Sequence, residues 1–263
     1  MKKMRALTIA AALGVMVLGL TTPAPADLGL DVSPAKFELS MKPGGTYNVP
    51  ITVHNGGGDA THIQVTLVDF GVAQNGDYQI ERVGSKPNSL MKFASINPRE
   101  FDLPGGTAQQ VRLSLALPNS SNLSGEYAGI AFFQTRATRH QGAVALSARV
   151  GSKFYLTIPG TVKVDGAITK MTAGSGPSGQ VYRVLYKNLG NAHEYLNGEI
   201  QVRKDGATLQ RIAMQREMLV ERGGQRLIEV AGDALPAGKY DIVAMIDYGG
   251  KTETGGEIIY NKK

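Results

Sequence analysis

Few residues of this chain have the types and spacing that catalysis on a nucleotide would require. Gly174-Ser175-Gly176-Pro177-Ser178-Gly179 matches the G-x-G-x-x-G dinucleotide fingerprint by letter. That fingerprint works only when a helix follows the glycines, because the N-terminus of the helix binds the phosphate. Residues 181–185 alternate as a strand does. The sequence therefore favours an ordinary loop between strands over a nucleotide site.

The histidines also lack a metal-binding pattern. They are His54, His62, His140 and His193, and none has a second histidine or a cysteine at ligand spacing. The chain has no cysteine, which excludes disulfides and thiolate metal sites. No Gly-x-Ser-x-Gly motif is present, and no Ser/His/Asp set stands out. We expect a binding protein without metal or cofactor, not an enzyme.

The first 26 residues predict a secretory signal peptide. Three basic residues lie within the first five positions, residues 6–20 are apolar but short for a membrane span, and Ala24-Pro25-Ala26 suits cleavage after Ala26. An uncleaved anchor helix is the alternative. Cleavage would leave 237 residues at 27–263 and lower the formal net charge from +6 to +3, since three cations and no acid are lost.

This balance of charge and hydropathy limits the partners and the location. A net charge of +3 does not indicate nucleic-acid binding. The sequence contains no second apolar segment long enough to span a membrane, so we expect no membrane insertion after signal cleavage. We expect a protein of the periplasm, with secretion or display at the cell surface as the alternative.

The rest of the chain predicts an all-β protein. Short alternating apolar runs are separated by Gly-, Pro- and Asn-rich turns, of which Asn75-Gly76 is typical of a hairpin. In the first half we predict strands at 36–39, 47–54, 63–70, 78–83, 111–117, 127–134 and 144–158. In the second half we predict strands at 162–170, 181–187, 195–203, 208–212, 218–221, 226–230, 240–247 and 252–259.

Two local echoes indicate that the second half repeats the plan of the first. Gly-x-Tyr precedes a long apolar strand at residues 125–127 and again at 238–240. In immunoglobulin-like sandwiches, a tyrosine so placed bonds back to the backbone. A strand that ends in Asn and is followed by Gly occurs at Asn55 and again at Asn188. We predict two immunoglobulin-like β-sandwich domains, residues 27–159 and 160–263.

The last predicted strand of the first domain is the most informative stretch. Residues 144–158 alternate and end at Pro159-Gly160. One set of alternate positions is apolar: Val144, Leu146, Ala148 and Val150. We expect the hydrogen-bonding edge of this strand to stay open for a foreign chain. The alternative is that the apolar side chains face the core of their own domain.

The first domain resembles the N-terminal domain of the periplasmic pilus-assembly chaperones of the chaperone–usher pathway. The resemblance covers about residues 30–160. Its matching segments are Val32-Ser33-Pro34-Ala35-Lys36-Phe37, Val49-Pro50-Ile51-Thr52-Val53-His54-Asn55, the Pro98-x-x-Phe101-x-Leu103-x-Gly105 signature, and Lys153-Phe154-Tyr155 at the end of the last strand.

The resemblance implies a function and a set of site residues. Chaperones of this family lend the last strand of their first domain to a pilin subunit whose immunoglobulin-like sheet lacks one strand. Two basic residues then anchor the C-terminal carboxylate of the subunit. The implied anchors are Lys36, where the family has an Arg, and Lys153; Arg149 is an alternative because Gly151-Ser152 lengthens the motif. The implied donor residues are Val144, Leu146, Ala148 and Val150.

The partners implied are a pilin or other surface subunit with an incomplete sheet and, beyond it, an outer-membrane usher. The same C-terminal stretch of the domain also resembles Gram-positive cell-surface proteins that bind peptidoglycan and WxL-type partners. A binding or adhesive role at the cell surface or cell wall is therefore the alternative function.

Overall fold

The computed structural model describes residues 29–137, 146–177 and 179–263. The predicted signal peptide, His140 and Val144 lie outside these residues. The described part contains eighteen strands and one 3-10 turn, Met91–Phe93. In this part, no helix is long and apolar enough to cross a membrane. The expectation of an all-β protein is confirmed.

The first ten strands form two sheets packed face to face. Their bounds are β1 Leu30–Ser33, β2 Lys36–Ser40, β3 Thr46–Asn55, β4 Thr61–Val72, β5 Tyr78–Glu81, β6 Ala94–Asn97, β7 Glu100–Leu103, β8 Ala108–Ala116, β9 Glu126–Thr135 and β10 Arg149–Thr157. One sheet has the order β1-β3-β8-β6, and the other has the order β2-β10-β9-β4-β5 with β7 also beside β4. Ile51, Leu113, Phe133 and Phe154 are fully buried between them.

The last eight strands form a second sandwich with its own core. Their bounds are β11 Gly166–Gly176, β12 Gly179–Asn188, β13 Glu194–Lys204, β14 Ala207–Ala213, β15 Met218–Val220, β16 Gln225–Gly232, β17 Gly238–Asp247 and β18 Thr254–Lys262. The sheets have the orders β11-β12-β16 and β14-β13-β17-β18, with β15 beside β13. Three tyrosines, Tyr182, Tyr186 and Tyr240, and Ile242 fill the core. Two immunoglobulin-like sandwiches are therefore confirmed, and the boundary at 159–160 stays a prediction.

The predicted turns and echoes have clear structural outcomes. Gly76 adopts φ +95° in the loop that joins β4 to β5, as the predicted hairpin requires. The Gly-rich fingerprint is the hairpin between β11 and β12, and β12 follows it directly, so the loop interpretation is confirmed. A tyrosine corner forms in the second domain, where the hydroxyl of Tyr240 donates to the carbonyl of Pro236 at 2.9 Å. Tyr127 instead packs edge-on against Phe93.

Asn55 and Asn188 form the same buried corner in the two domains. The side-chain amide of Asn55 donates to the carbonyls of Asp59 and Leu103, and its oxygen accepts from the backbone of Gly57. Asn188 repeats the arrangement, with its oxygen accepting from Gly190. Each side chain thus satisfies two backbone groups of the segment that follows its strand and one carbonyl at the end of a more distant strand. This shared corner supports the predicted repeat.

The expectation of an open edge along 144–158 is wrong for the second half of the strand. There β10 lies between two neighbours, antiparallel to β9 over 149–157 and parallel to β2 over 153–157. The backbone N–H of Lys153 donates to the carbonyl of Ala35 at 2.9 Å. The prediction failed because β2 joins this sheet although β1, just before it, pairs with β3 in the other sheet. Among the described residues, no strand pairs with 149–152 on the β2 side.

Candidate functional site

Lys36 and Lys153 are direct neighbours across the β2–β10 ladder. Neighbouring strands lie about 4.8 Å apart, and successive side chains alternate between the faces of the sheet. Phe37 and Phe154 point to the core face, where their rings stack at 4.8 Å. The two lysines therefore both project from the opposite face. Two residues of separate sequence segments thus form one cationic pair.

Each ammonium group is held by an aromatic residue. The Nζ atom of Lys153 donates to the Tyr78 hydroxyl at 2.9 Å. The Nζ atom of Lys36 lies 3.5 Å from the Tyr195 hydroxyl and 5.1 Å from the centre of its ring. Lys36 also pairs with Glu38 at 2.7 Å, and this hydrogen bond raises the pKa of Lys36. The lysines are thus oriented but still partly exposed, so they can bind an anion from solvent.

An apolar floor lies beside the pair on the same face of the sheet. Tyr155 follows Lys153 by two residues and is buried, with its ring edge-on to Phe70. The remaining members of this cluster are Val68, Ala128 and Ile130, with Val72 and Phe132 at its margin. Tyr78 and Ile80, on β5 at the opposite edge of this sheet, stay about half exposed. The surface therefore combines two cations with apolar contact area.

Arg149 lies apart from the lysine pair. It projects from the same face as Lys153 but lies four residues earlier, about 13 Å along the strand. Its guanidinium lies 4.2 Å from the centre of the Phe132 ring. The structure therefore brings Lys36 and Lys153 together and leaves Arg149 at the far end of the apolar floor.

The four implied donor residues have different surroundings. Leu146 is 51% exposed. Ala148 and Val150 are partly buried against the core of their own domain. The backbone N–H of Ala148 donates to the Thr135 hydroxyl at 2.9 Å. Val144 lies outside the described residues. Leu146 is thus the described donor position with the most side-chain area available to a partner.

The lysine pair borders a polar cluster between the two domains. Glu126, at the start of β9, is buried and accepts from both the backbone N–H and the Nδ1 atom of His193, at 3.1 and 2.7 Å. The ring of His193 stacks on Tyr155 at 4.0 Å and meets Tyr195 edge-on. The hydroxyl of Tyr155 donates to Glu221 Oε1 at 3.3 Å. Residues of the second domain thus complete one wall of the site.

Burial shifts the titration of this junction. The pKa of Glu221 is raised to about 7, chiefly by burial and then by repulsion from Glu126, while His193 and the Tyr155 hydrogen bond oppose the shift. The pKa of Tyr155 is raised far above its ordinary value by burial. Glu221 is therefore the acid of the junction that changes charge near neutral pH.

Sequence reasoning did not single out the junction residues Glu126, Tyr155, Tyr195 and Glu221. His193 was considered only as a metal ligand, and within the described residues no three His, Asp or Glu side chains are placed to hold a metal ion. The available signal was the Gly-x-Tyr corner, because Glu126 lies between Gly125 and Tyr127. Nothing in that motif specifies a partner in the second domain.

A two-domain immunoglobulin-like protein with a cationic pair at its domain junction is the class that this geometry defines. No model of a known protein family matches the chain, and no curated protein does. Solved structures do match in fold. The class 5 fimbriae chaperone CfaA has 9% identity and a TM-score of 0.48, over 89% of this chain and 99% of that chain.

Two solved complexes are also similar. The chaperone–tip adhesin complex of CFA/I fimbriae biogenesis matches with 10% identity and a TM-score of 0.49, over 89% of this chain and 98% of that chain. The CsuC–CsuE chaperone–tip subunit pre-assembly complex of Acinetobacter baumannii matches with 11% identity and a TM-score of 0.46, over 89% and 99%. All three structures contain a chaperone of fimbriae or pili.

Proposed function

We propose that this protein is a periplasmic chaperone-like binding protein that lends a strand to a pilin or other surface subunit with an incomplete immunoglobulin-like sheet. Its two domains would be residues 27–159 and 160–263 after removal of the signal peptide at 1–26. Delivery to an outer-membrane usher would follow. The observation that carries the proposal is the lysine pair at the point where the open edge of β10 ends.

The open edge supports strand addition. Over 149–152, β10 pairs with β9 on one side and with no described strand on the other, and at the end of this stretch the Ser152 hydroxyl donates to the carbonyl of Pro34 at 2.7 Å. Backbone groups on such an edge are ready to pair with an extended segment of another chain. Leu146, exposed just before the strand, offers an apolar contact to that segment.

The lysine pair supports capture of a chain end. A strand laid along the open edge reaches Lys36 and Lys153 where β2 begins, and a terminal carboxylate there would meet two ammonium groups. A charge-assisted hydrogen bond contributes about 1.5–3 kcal/mol when it is sheltered from water. The tyrosines that hold the lysines reduce the entropy lost when they bind.

The proposal is tested by co-purification of the subunit from periplasmic extracts. Lys153→Ala should remove one anchor and Leu146→Asp should place a charge on the apolar contact, so each should lower the recovered subunit about tenfold or more. Both side chains are partly or largely exposed, so the variants should fold. Lys239→Ala, an exposed lysine on β17, is the matched control. Unchanged subunit recovery and unchanged fibre display in a deletion strain would contradict the proposal.

A cell-surface or cell-wall binding protein is the second candidate, and the resemblance to peptidoglycan-binding surface proteins favours it. This role requires the protein to fractionate with the wall or outer surface. Purified sacculi should then retain the protein in a pull-down. If the sacculi retain nothing and the protein is released with the periplasmic fraction, this candidate is excluded.

A further inference from the structure

Glu221 touches the floor of the lysine site from the second domain. It follows β15 directly, and its Oε1 atom accepts from the buried hydroxyl of Tyr155. Tyr155 lies two residues after Lys153 on the same face of β10. Lys153 and Glu221 therefore both lie beside Tyr155, and the positive charge of Lys153 already acts on Glu221.

The groups that face Glu221 come from every element packed around it. Glu126 on β9 repels it, while His193 before β13 and Lys153 on β10 attract it. Lys86, Arg222 and the backbone of Gly223 line a cavity of 210 Å³ beside it. Lys86 is already paired with Glu81 at 2.7 Å. Glu221 is thus half-buried, and the cations around it only partly offset the repulsion from an additional negative charge nearby.

Resting on the proposed capture of a carboxylate, we infer that this capture is linked to protonation of Glu221. An anionic chain end bound at Lys36 and Lys153 repels an ionised Glu221 and favours its neutral form. By reciprocity, the neutral form of Glu221 favours the bound anion. The captured group is thus a terminal carboxylate of a polypeptide, and its binding takes up a proton near neutral pH.

The sign of the effect follows from the titration of Glu221. The pKa of Glu221 in the unliganded protein is about 7. A bound anion raises this pKa further, so more protons are bound in the complex than in the unliganded protein. Affinity is therefore highest below pH 7 and falls as the pH rises from 7 through the higher pKa of the complex. A rise of one pKa unit corresponds to about a tenfold change in affinity.

The test uses calorimetry on the full mature chain with a synthetic peptide. The probe is a twelve-residue alternating Val/Thr peptide with a free C-terminal carboxylate, titrated at pH 6 and pH 8 in two buffers of different ionisation enthalpy. For a pKa rise of one unit on binding, we expect about fivefold tighter binding at pH 6 than at pH 8, with proton uptake at pH 8. Glu221→Gln should bind at pH 8 as the parent does at pH 6, without proton uptake. Glu257→Gln, an exposed carboxylate on β18, should behave as the parent does.

Three outcomes would count against the inference, and they separate it from the proposed function. Binding of equal strength at both pH values, without proton uptake, overturns the inference and leaves carboxylate capture intact. If the C-terminally amidated peptide binds with the same pH dependence as the free acid, the inference is also overturned, but the proposed function is not. No binding of the free acid at either pH overturns both. As a direct readout, NMR titrations that follow the carboxyl carbon of Glu221 should give a higher pKa for its carboxyl group when the peptide is bound.

Discussion

At the scale of single residues, the second domain contains a buried acid that is only half satisfied. Glu194 is 3% exposed, and its Oε2 atom accepts from the Tyr186 hydroxyl at 2.6 Å. Among the described residues, its Oε1 atom has no hydrogen-bond partner. Burial raises the pKa of Glu194 to about 7, although the Tyr186 hydrogen bond and the nearby backbone of Asp165 oppose this shift. An ionised carboxylate at this position is therefore destabilising.

Glu194→Gln should flatten the pH dependence of stability. The folded-state pKa of about 7 exceeds the unfolded value, so the neutral acid stabilises the domain at low pH. This contribution, about 3 kcal/mol, is lost as the pH rises from about 4.5 to 7. Urea denaturation at pH 5 and pH 8, followed by tyrosine fluorescence, measures it.

The matched control for Glu194→Gln is Glu257→Gln, which should keep the parental slope because Glu257 is exposed on β18. Glu221, at the junction, titrates in the same range and leaves a residual slope in both variants. A Glu194→Gln protein that loses as much stability between pH 5 and pH 8 as the parent would contradict this account.

At the scale of elements, the sequence predicted the long strands well and the pairing of one short strand poorly. Strands such as β12 and β17 alternate over about ten residues, so their burial pattern is visible in the sequence. The four-residue strands β1, β6 and β7 are too short to show a period, and they were missed. The parallel pairing of β2 with β10 joins residues more than a hundred positions apart, which no local pattern encodes.

Phe37→Ala should loosen β2 from β10. The ring of Phe37 stacks on Phe154 and is partly buried, so its removal should cost about 2–3 kcal/mol of stability. Because β2 is an edge strand, the backbone N–H of Lys153, which donates to Ala35, should exchange its hydrogen faster. Hydrogen exchange followed by NMR measures this directly.

Phe101→Ala is the control for this experiment, since Phe101 is also partly buried against the first core but lies on β7, away from β2. It should lower global stability without selectively exposing the Lys153 amide. If both variants accelerate exchange at Lys153 to the same extent, the stacked pair does not fix β2 in place.

At the scale of the whole molecule, the contacts between the domains could not be predicted. The hairpin loop after β4 reaches the edge of β16, where the backbone N–H of Leu227 donates to the carbonyl of Gln74 at 2.8 Å. At the domain junction, the carboxylate of Glu126 accepts a hydrogen bond from the ring of His193 in the second domain. A periodic pattern gives each sandwich its core, but it does not say which loops of the two sandwiches meet. The resemblance identified the lysine pair of the candidate site. The residues of the second domain that border the pair could be identified only from the structure.

His193→Ala should weaken the junction between the domains. The substitution leaves the buried Glu126 without its side-chain hydrogen-bond partner and removes the ring stacked on Tyr155, at a cost of about 2 kcal/mol. The two domains should then reorient independently, which NMR relaxation detects as diverging rotational correlation times. His54→Ala, whose side chain forms an exposed pair with Asp31, is the control. Unchanged relaxation in the His193 variant would contradict this role.

The shared ladder of β2 and β10 also imposes a length limit. Any guest strand added at 149–152 has its path blocked at Ala35, whose carbonyl already takes the amide of Lys153. A guest that presents its carboxyl end at this barrier must run in the same direction as β10. The position of its final residue, rather than its sequence, would then fix the register in which every earlier residue of the guest pairs with β10.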